Sequence, residues 1–592
     1  MKNLTRFGLS SFLICLAGTQ VHAQAKWSYP GCADVTDADF KVDTLMRRSI
    51  APDPQLAEPD KLAFDMDADG NVDVYFTEIR PGNIKRYNAK TKTVTTLTTL
   101  PVWKGPYTGQ GNTKGTNIEE GATGIALDPD FKTNGYIYVH WSPASAVVFR
   151  ISRFTVANNK IDLTSEKIVL QYEAQRGLCC HTGGSLAFDA YKDLWIAQGA
   201  NGGNGLLGDP SDPSKMTGMT TNPQLGVNET SKYKSEEWGT ASTAGMRGGF
   251  LRIHPTADGK YTIPKDNFGE YLARTLNKPE YLDTAKVLPE IYIKGTRNNY
   301  SMALDPVRRW VLWGDVGADE LSAAQREEYN FRKTPGFEGW PYFVGDNTSF
   351  VGNKNPAAPT NTSQWNKGLT TLPPARSRTK LPAAFLNGSA SQPGAKIRTA
   401  PITGPLYLYD GDSKSTVKFP PHFNRKWFVT DYTAGNVYVF DVDTTGENPT
   451  ATAYQPFLNG KVFQGPVDFR QGPDGALYIV NYGFANFTTD NTTSIMKISY
   501  TGTCRPAEPK LETPTGLSET RFDMLLRRSG VLINLGSSNL VKIPQGMSGI
   551  ELYDISGKEV WSTRNLKAGD TFRLPATLHT GALKYRWVPA SL

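Results

Sequence analysis

The chain has 592 residues, long enough for one large domain plus an appendage, and its 56 Gly and 39 Pro without low-complexity tracts suit a turn-rich all-β protein and argue against disorder. The formal charge is +7, but residues 1–23 carry Lys2 and Arg6, and residues 524–592 carry nine Lys or Arg against four Asp or Glu, so the stretch between them is neutral. A neutral body has no electrostatic footprint for a polyanion, which excludes nucleic acid as the main partner.

In chain order, Lys2 and Arg6 precede an apolar stretch centred on residues 12–16, and Val21-His22-Ala23 stands before Gln24. Charge, apolar run and small residue in that order predict a secretory signal peptide over residues 1–23, and the run is too short for a membrane anchor. Six segments then share one pattern, a small apolar run, a polar turn and an aromatic-rich strand: residues 62–78, 124–141, 185–199, 301–314, 419–431 and 466–482. Their second runs, such as Tyr136-Ile137-Tyr138-Val139 and Trp427-Phe428-Val429, are β-branched and aromatic, and most of the turns hold Asp, Gly, Asn or Pro, so each is expected to be one hairpin. A single hairpin cannot bury its own face. Copies spaced by roughly 50 to 120 residues suit propeller blades, whose outer strands and loops vary while the inner strands are constrained. The expectation is an all-β chain with a six-bladed β-propeller over residues 24–503.

Four cysteines lie outside the signal segment: Cys32, Cys179, Cys180 and Cys504. A propeller brings its chain ends together at the closing blade, which favours Cys32 with Cys504 and leaves Cys179-Cys180 as a vicinal disulfide or two buried thiols. Residues 504–530 begin with a Pro-rich run and read as a linker. Beyond it, the alternation at residues 531–533, 550–554, 559–561 and 584–587 predicts a small C-terminal β-sandwich over residues 531–592, with Asp554-Ile555-Ser556-Gly557-Lys558 as a hairpin turn. That tail resembles the sorting or surface-attachment domains of some exported bacterial proteins; an accessory module is the alternative. The expected location is secreted, periplasmic or cell-surface.

Chemistry is expected on loops at one mouth of the central channel, where several blades converge. Before the third inner strand, Cys179-Cys180-His181-Thr182-Gly183-Gly184 places an imidazole beside glycines that let a ligand approach the backbone. His181 reads either as a general base for a hydroxyl proton or as a structural hydrogen-bonder. The run Asp65, Asp67, Asp69, Gly70, Asp73 has the alternating carboxylates of a calcium loop but lacks its closing glutamate, and also reads as a solvated hairpin turn. Glu119 and Glu120 are expected at the surface or the channel mouth.

The runs CCHTGGSLAFDA, EEGATGIALDPDFKTNGYIYVHWSP, RGGFLRIHP, GTRNNYSMALDP, EGWPYFVGDN and GPDGALYIVNYG occur in the order of the soluble glucose/sorbosone dehydrogenase family, which this chain resembles over roughly residues 55–503. The resemblance implies a six-bladed propeller, a pyrroloquinoline quinone cofactor over the channel, a calcium ion polarising it, and oxidation of a sugar C1 hydroxyl to a lactone. It implies His181 as catalytic base, Arg297 and Asn298 as quinone contacts with Arg297 also stabilising developing charge, Gly317 and Ala318 as backbone ligands of calcium, and Trp340 as an aromatic beside the cofactor. Arg297 also reads as a structural ion-pair residue, and Trp340 as a buried blade tryptophan. The chain departs from the family pattern in three places. Gln198-Gly199-Ala200-Asn201 lacks the carboxylate that would orient His181, Thr433 stands for a cofactor-binding lysine, and Gly465 and Val467 stand for a pair of arginines. Lys396, Arg398 and Lys426 are the candidate substitutes. Two functions follow: an exported quinone-dependent oxidoreductase acting on a sugar or sugar-like alcohol, or a cofactor-free propeller that binds carbohydrate or a surface partner. A calcium-dependent lactonase is a weaker third, because the side-chain carboxylates it needs cannot be assembled.

Overall fold

The computed structural model describes residues 25–48, 56–105, 119–176, 180–202, 237–243, 245–317, 327–345, 347–349, 400–483 and 489–512, and strand segments at 376–377, 532–533, 540–542, 547–553, 559–563, 571–573 and 583–589. Two compact units divide the chain, residues 1–511 and 512–592.

The first unit is a six-bladed β-propeller of four-stranded antiparallel sheets. The first blade runs Pro59–Met66, Val72–Glu78, Asn83–Asn88 and Thr93–Thr99. Ala122–Leu127, Tyr136–Trp141, Val148–Ala157 and Lys167–Glu173 make the second. Gly183–Phe188, Leu194–Gln198, Gly249–Pro255 and Ile291–Lys294 make the third. Met302–Asp305, Trp310–Asp315, Glu328–Arg332 and Arg376–Ser377 form the fourth. The fifth comprises Pro401–Leu406, Trp427–Asp431, Val437–Asp443 and Thr450–Phe457. In the sixth, Pro466–Gln471, Leu477–Asn481 and Ser494–Tyr500 are completed by Phe40–Arg47 from the other end of the chain.

Each innermost strand packs on that of the next blade, and the sixth packs on the first, so the ring closes. The approach is tight enough to demand glycine: a Cβ on Gly124 would lie 1.9 Å from the Gly184 carbonyl oxygen of the neighbouring blade. Apolar residues fill the space between blade faces, as where Leu312, Tyr329 and Phe331 of the fourth blade meet Leu406, Trp427 and Phe440 of the fifth. At the axis, polar side chains link opposite blades. The Lys61 ammonium, fully buried, lies 2.6 Å from Asp60 and 3.7 Å from the Tyr300 ring centroid, and the Tyr300 hydroxyl donates to Asp60 at 2.8 Å, joining the first blade to the chain entering the fourth. Arg470 of the sixth blade pairs with Asp468 at 2.7 Å and donates to the Ser185 hydroxyl and the Leu186 carbonyl of the third.

Five of the six expected hairpins are the inner pairs of their blades. The fifth is not. Its inner strand is Pro401–Leu406, and residues 419–426 instead form a turn with a 3-10 segment at Pro421–Phe423. Pro420 and Pro421 have no N–H to give a ladder, so Phe419 and Phe423 fill an aromatic cluster with Trp27, Phe428 and Phe457 instead. The acidic run of the first hairpin is a turn. Asp67 accepts from the Asp69 and Asn71 backbone and from the Asn71 amide, and Asp73 pairs with Arg86, so two of the carboxylates are spent on protein donors.

Cys32 and Cys504 are disulfide-bonded across 472 residues. Cys180 is also disulfide-bonded; its partner lies outside the described residues, as does Cys179. The Pro-rich run begins fixed to the propeller, where the Tyr409 hydroxyl donates to the Pro506 carbonyl and the Gly411 N–H to that of Pro509. No described helix is long and apolar enough to cross a membrane. The second unit holds a four-stranded antiparallel sheet, ordered Leu532–Ile533, Leu583–Pro589, Met547–Tyr553, Glu559–Thr563, and a two-stranded one, Leu540–Lys542 with Thr571–Arg573.

Because the bridge constrains nearly the whole unfolded propeller, replacing Cys32 and Cys504 with Ser is expected to cost about 2–5 kcal/mol. Thermal unfolding checks this: the double variant should melt several degrees lower, and an unchanged Tm would mean that strand pairing alone closes the ring.

Candidate active site

His181 sits where the chain enters the third blade, in a run of left-handed residues: φ is 87° at Cys180, 60° at His181 and 65° at Gly183. That bend is held from the second blade. The His181 and Thr182 N–H groups donate to Glu119 Oε2 at 2.6 and 3.3 Å, and the Thr182 hydroxyl donates to the Glu119 carbonyl. His181 is 5% exposed. Its Nδ1 has no hydrogen-bond partner among the described residues. Burial first, then the charge of Arg297, hold the imidazole well below its usual pKa, with the nearby Gly202 backbone opposing them.

Arg297 follows strand Ile291–Lys294 through Gly295, whose φ of 86° turns the chain back over the mouth. The Asp315 carboxylate fixes the turn, accepting from the Arg297 N–H at 3.1 Å and the Asn298 N–H at 2.7 Å. The guanidinium donates to the Val316 carbonyl at 2.9 Å and lies 5.5 Å from the Trp340 ring centroid. Beside it is a small cleft lined by Arg297, Asp315, Gly317, Glu328, Glu338 and Trp340, among others. Burial pushes the carboxyls of Asp315 and Glu328 up, and Asp315 raises Glu328 further. Asn298 places at 6% residue exposure an Oδ1 that has no hydrogen-bond partner among the described residues.

His181, Arg297 and Asn298 therefore meet at one mouth, with Gly317 and Trp340 beside them; Ala318 lies outside the described residues. Sequence reasoning undervalued Glu119, which is 7% exposed and is the brace beneath His181 rather than a surface acid. Its neighbour Glu120 is fully buried against Arg176 and Ser142. Asp315 was missed; its signal is its place at the end of the aromatic strand Trp310–Asp315, directly opposite the Arg-Asn turn.

A tricarboxylate cofactor does not fit the described residues. Thr433 is tied by its N–H to Asp431. Gly465 has φ 61°, and a Cβ there would lie 2.4 Å from the Gly483 carbonyl oxygen, so a long cation is barred. Val467 is buried in an apolar cluster. Lys61 approaches the Val467 carbonyl at 3.4 Å, but Asp60 already neutralises it. Lys426 pairs with Asp441 and stands at the opposite end of strand Trp427–Asp431 from this mouth, about 15 Å away at strand rise. Lys396 and Arg398 lie outside the described residues. Burying carboxylates without cationic partners costs several kcal/mol. For calcium, the cleft offers oxygen ligands of the right kind. Against it, Arg297 takes the Val316 carbonyl, and no group of three or more His, Cys, Asp or Glu among the described residues is placed to hold a metal.

Residues 56–222 match the family model Glucose / Sorbosone dehydrogenase. The chain resembles that family. Among solved structures, one similar protein is a putative oxidoreductase (glucose dehydrogenase) of Thermus thermophilus, 17% identical over 78% of this chain and 99% of that one, with TM-score 0.48. Another is the PQQ-bound aldose sugar dehydrogenase of Streptomyces coelicolor, 18% identical over 78% and 98%, TM-score 0.43. The soluble aldose sugar dehydrogenase of Escherichia coli, in its apo form, is 18% identical over 78% and 99%, TM-score 0.46. No curated protein matches the chain.

A His181 pKa held below 6.5 keeps the ring neutral and able to accept a proton through the neutral range, and that ability is lost only as pH falls through the lowered value. Replacing Arg297 with Leu removes a repelling charge, so the His181 midpoint should move upward in an NMR titration. A downward or absent shift would show that Arg297 does not face the ring.

Proposed function

We propose that the chain is an exported oxidoreductase acting on a sugar or sugar-like alcohol, with His181 as general base. The observation that carries this reading is the buried neutral imidazole whose Nδ1 has no partner among the described residues, set beside the Arg297 guanidinium. Oxidising a C–OH group takes the hydroxyl proton from oxygen and a hydride from the carbon that bears it, the hydride reducing a quinone supplied from solution to the quinol. Nδ1 of His181 takes the proton, and Arg297 offsets negative charge developing on the oxygen. Asn298 supplies a further acceptor for a hydroxyl through Oδ1. The resemblance names a quinone as hydride acceptor; because the described residues lack partners for three carboxylates, no step is drawn through pyrroloquinoline quinone. Export rests on the N-terminal signal pattern and on the Cys32–Cys504 bridge, which persists in an oxidising compartment. The second unit is the candidate for surface attachment.

A second reading, a carbohydrate-binding propeller without redox chemistry, is favoured by the closed positions at Thr433, Gly465 and Val467. The two are separated by titrating the purified chain with pyrroloquinoline quinone and calcium, and by following dye reduction over a sugar panel with and without added quinones. Expected are sugar-dependent dye reduction, no tight binding of the tricarboxylate, and loss of about 10²–10⁴ in kcat for His181→Ala at unchanged Tm. Sugar binding with no dye reduction under any condition would establish the second reading. Tight pyrroloquinoline quinone binding would overturn the misfit.

A further inference from the structure

His181 and Thr182 form the corner at which the chain enters the third blade, and their peptide groups are held from two sides. On one side stands the second blade. Glu119 Oε2 accepts from the His181 N–H at 2.6 Å and the Thr182 N–H at 3.3 Å, and the Glu119 carbonyl accepts from the Thr182 hydroxyl at 2.9 Å. On the other side the turn after the third blade's second strand supplies donors: the Asn201 N–H reaches the His181 carbonyl at 2.8 Å, and the Gly199 N–H reaches the Thr182 carbonyl at 3.4 Å. Both N–H groups are thus given to one blade, and both carbonyls accept from the other.

The two holders are themselves fixed. Two residues after Glu119, a Cβ on Gly121 would lie 2.1 Å from the Ile79 carbonyl oxygen, and the Ala122 N–H donates to that same carbonyl at 3.0 Å. Gly199 is pinned by the Gly248 N–H and by Gln198 Nε2, which donate to its carbonyl at 2.9 and 3.2 Å. Gln198 in turn accepts from the Tyr172 hydroxyl at 2.6 Å, and both lie within hydrogen-bond distance of His140 Nε2, while His140 Nδ1 meets the Thr123 hydroxyl at 2.6 Å. This buried chain crosses the seam between the second and third blades.

Such support matters because the corner is strained. Cys180 at φ 87° and His181 at φ 60° carry side chains in the left-handed region, a conformation that persists only where the surroundings over-determine it. Among the described residues, the donors to the His181 and Thr182 carbonyls are main-chain groups, whereas the acceptor of their N–H groups is a side chain.

We propose that Glu119 is the positioning residue of the His181 base: its carboxylate, reaching across the seam between two blades, holds the strained main chain that sets where the imidazole stands. It acts as an acceptor for two N–H groups and not as a charge beside the ring; the charged group that faces the imidazole is Arg297. The placement rests on hydrogen bonds alone; its value for catalysis rests on the oxidoreductase reading above.

Two readouts on the full chain test it. NMR follows the titration of the six histidines, with His181 assigned by its loss in His181→Gln, and dye reduction with sugar and added quinone gives kcat and KM. In Glu119→Ala the corner loses its acceptor and the ring gains access to water, so the His181 midpoint should rise toward the ordinary histidine value and kcat should fall about tenfold at unchanged KM. Glu119→Gln keeps an amide oxygen for both N–H groups and should retain the native midpoint and most of kcat. Glu119→Asp keeps the charge but withdraws the acceptor by one methylene, so it should shift both readouts in the direction of the alanine variant, and it carries the test if that variant does not fold. A folded Ala or Asp variant with native midpoint and kcat overturns the proposal. A Gln variant as damaged as the alanine one overturns it too, because charge rather than placement would then be at work. If the midpoint rises as expected and the wild type oxidises no sugar, the positioning stands and the oxidoreductase reading fails, so the two can be told apart.

Discussion

The ring closes only because a strand from the beginning of the chain completes the last blade. Phe40–Arg47 pairs with Ser494–Tyr500 from Phe40↔Tyr500 to Arg47↔Ser494, and Cys32–Cys504 ties the two segments just outside that ladder. Every inner strand depends on both neighbours, since a hairpin blade buries its faces only against adjacent blades. Opening one seam would therefore expose the aromatic faces at that seam, among them Phe40, Phe419, Phe423 and Phe457, which stack within 4.7–5.8 Å of one another. The disulfide acts on this weakest point: it limits the separation available to the ends in the unfolded chain and so favours the seam that makes all other packing possible.

Closure has an electrostatic consequence at the axis. Six strands converging this closely bring charged and polar side chains out of water, where each must find a partner. Opposite blades supply them, through Tyr300 to Asp60 and through Arg470 to Ser185 and Leu186. At the mouth, His181 Nδ1, Asn201 Nδ2 and Asn298 Oδ1 are buried and lack hydrogen-bond partners among the described residues, as does Asp60 Oδ2 at the axis. Leaving such atoms unsatisfied costs about 1–3 kcal/mol each.

The architecture was legible in the sequence because propeller blades repeat a local pattern, and the inner hairpins carry it in β-branched and aromatic runs around a polar turn. The exception is instructive. Residues 419–431 have the same apolar spacing, yet Pro420-Pro421 cannot pair, and the true inner strand, Pro401–Leu406, hides behind two prolines and a glycine of its own at Pro401, Gly404 and Pro405. At the site, His181 could be picked out because an imidazole stands in a glycine-rich run, whereas Arg297 and Asn298 were reached only through the resemblance to the dehydrogenase family. Glu119 and Asp315 could not. Both act through backbone N–H groups, so their roles depend on where the chain turns.

That distinction also explains why the missing carboxylate near His181 is a weaker argument against activity than the missing cations. A carboxylate beside a catalytic imidazole does two jobs: it selects the tautomer, and it stabilises the charge that forms on proton transfer. Backbone can do the first, since any fixed carbonyl will accept one N–H. Cation pairing with a buried tricarboxylate has no such substitute. Backbone N–H groups could serve, but at Thr433 the N–H is already given to Asp431, and at Gly465 the chain is pressed against Gly483.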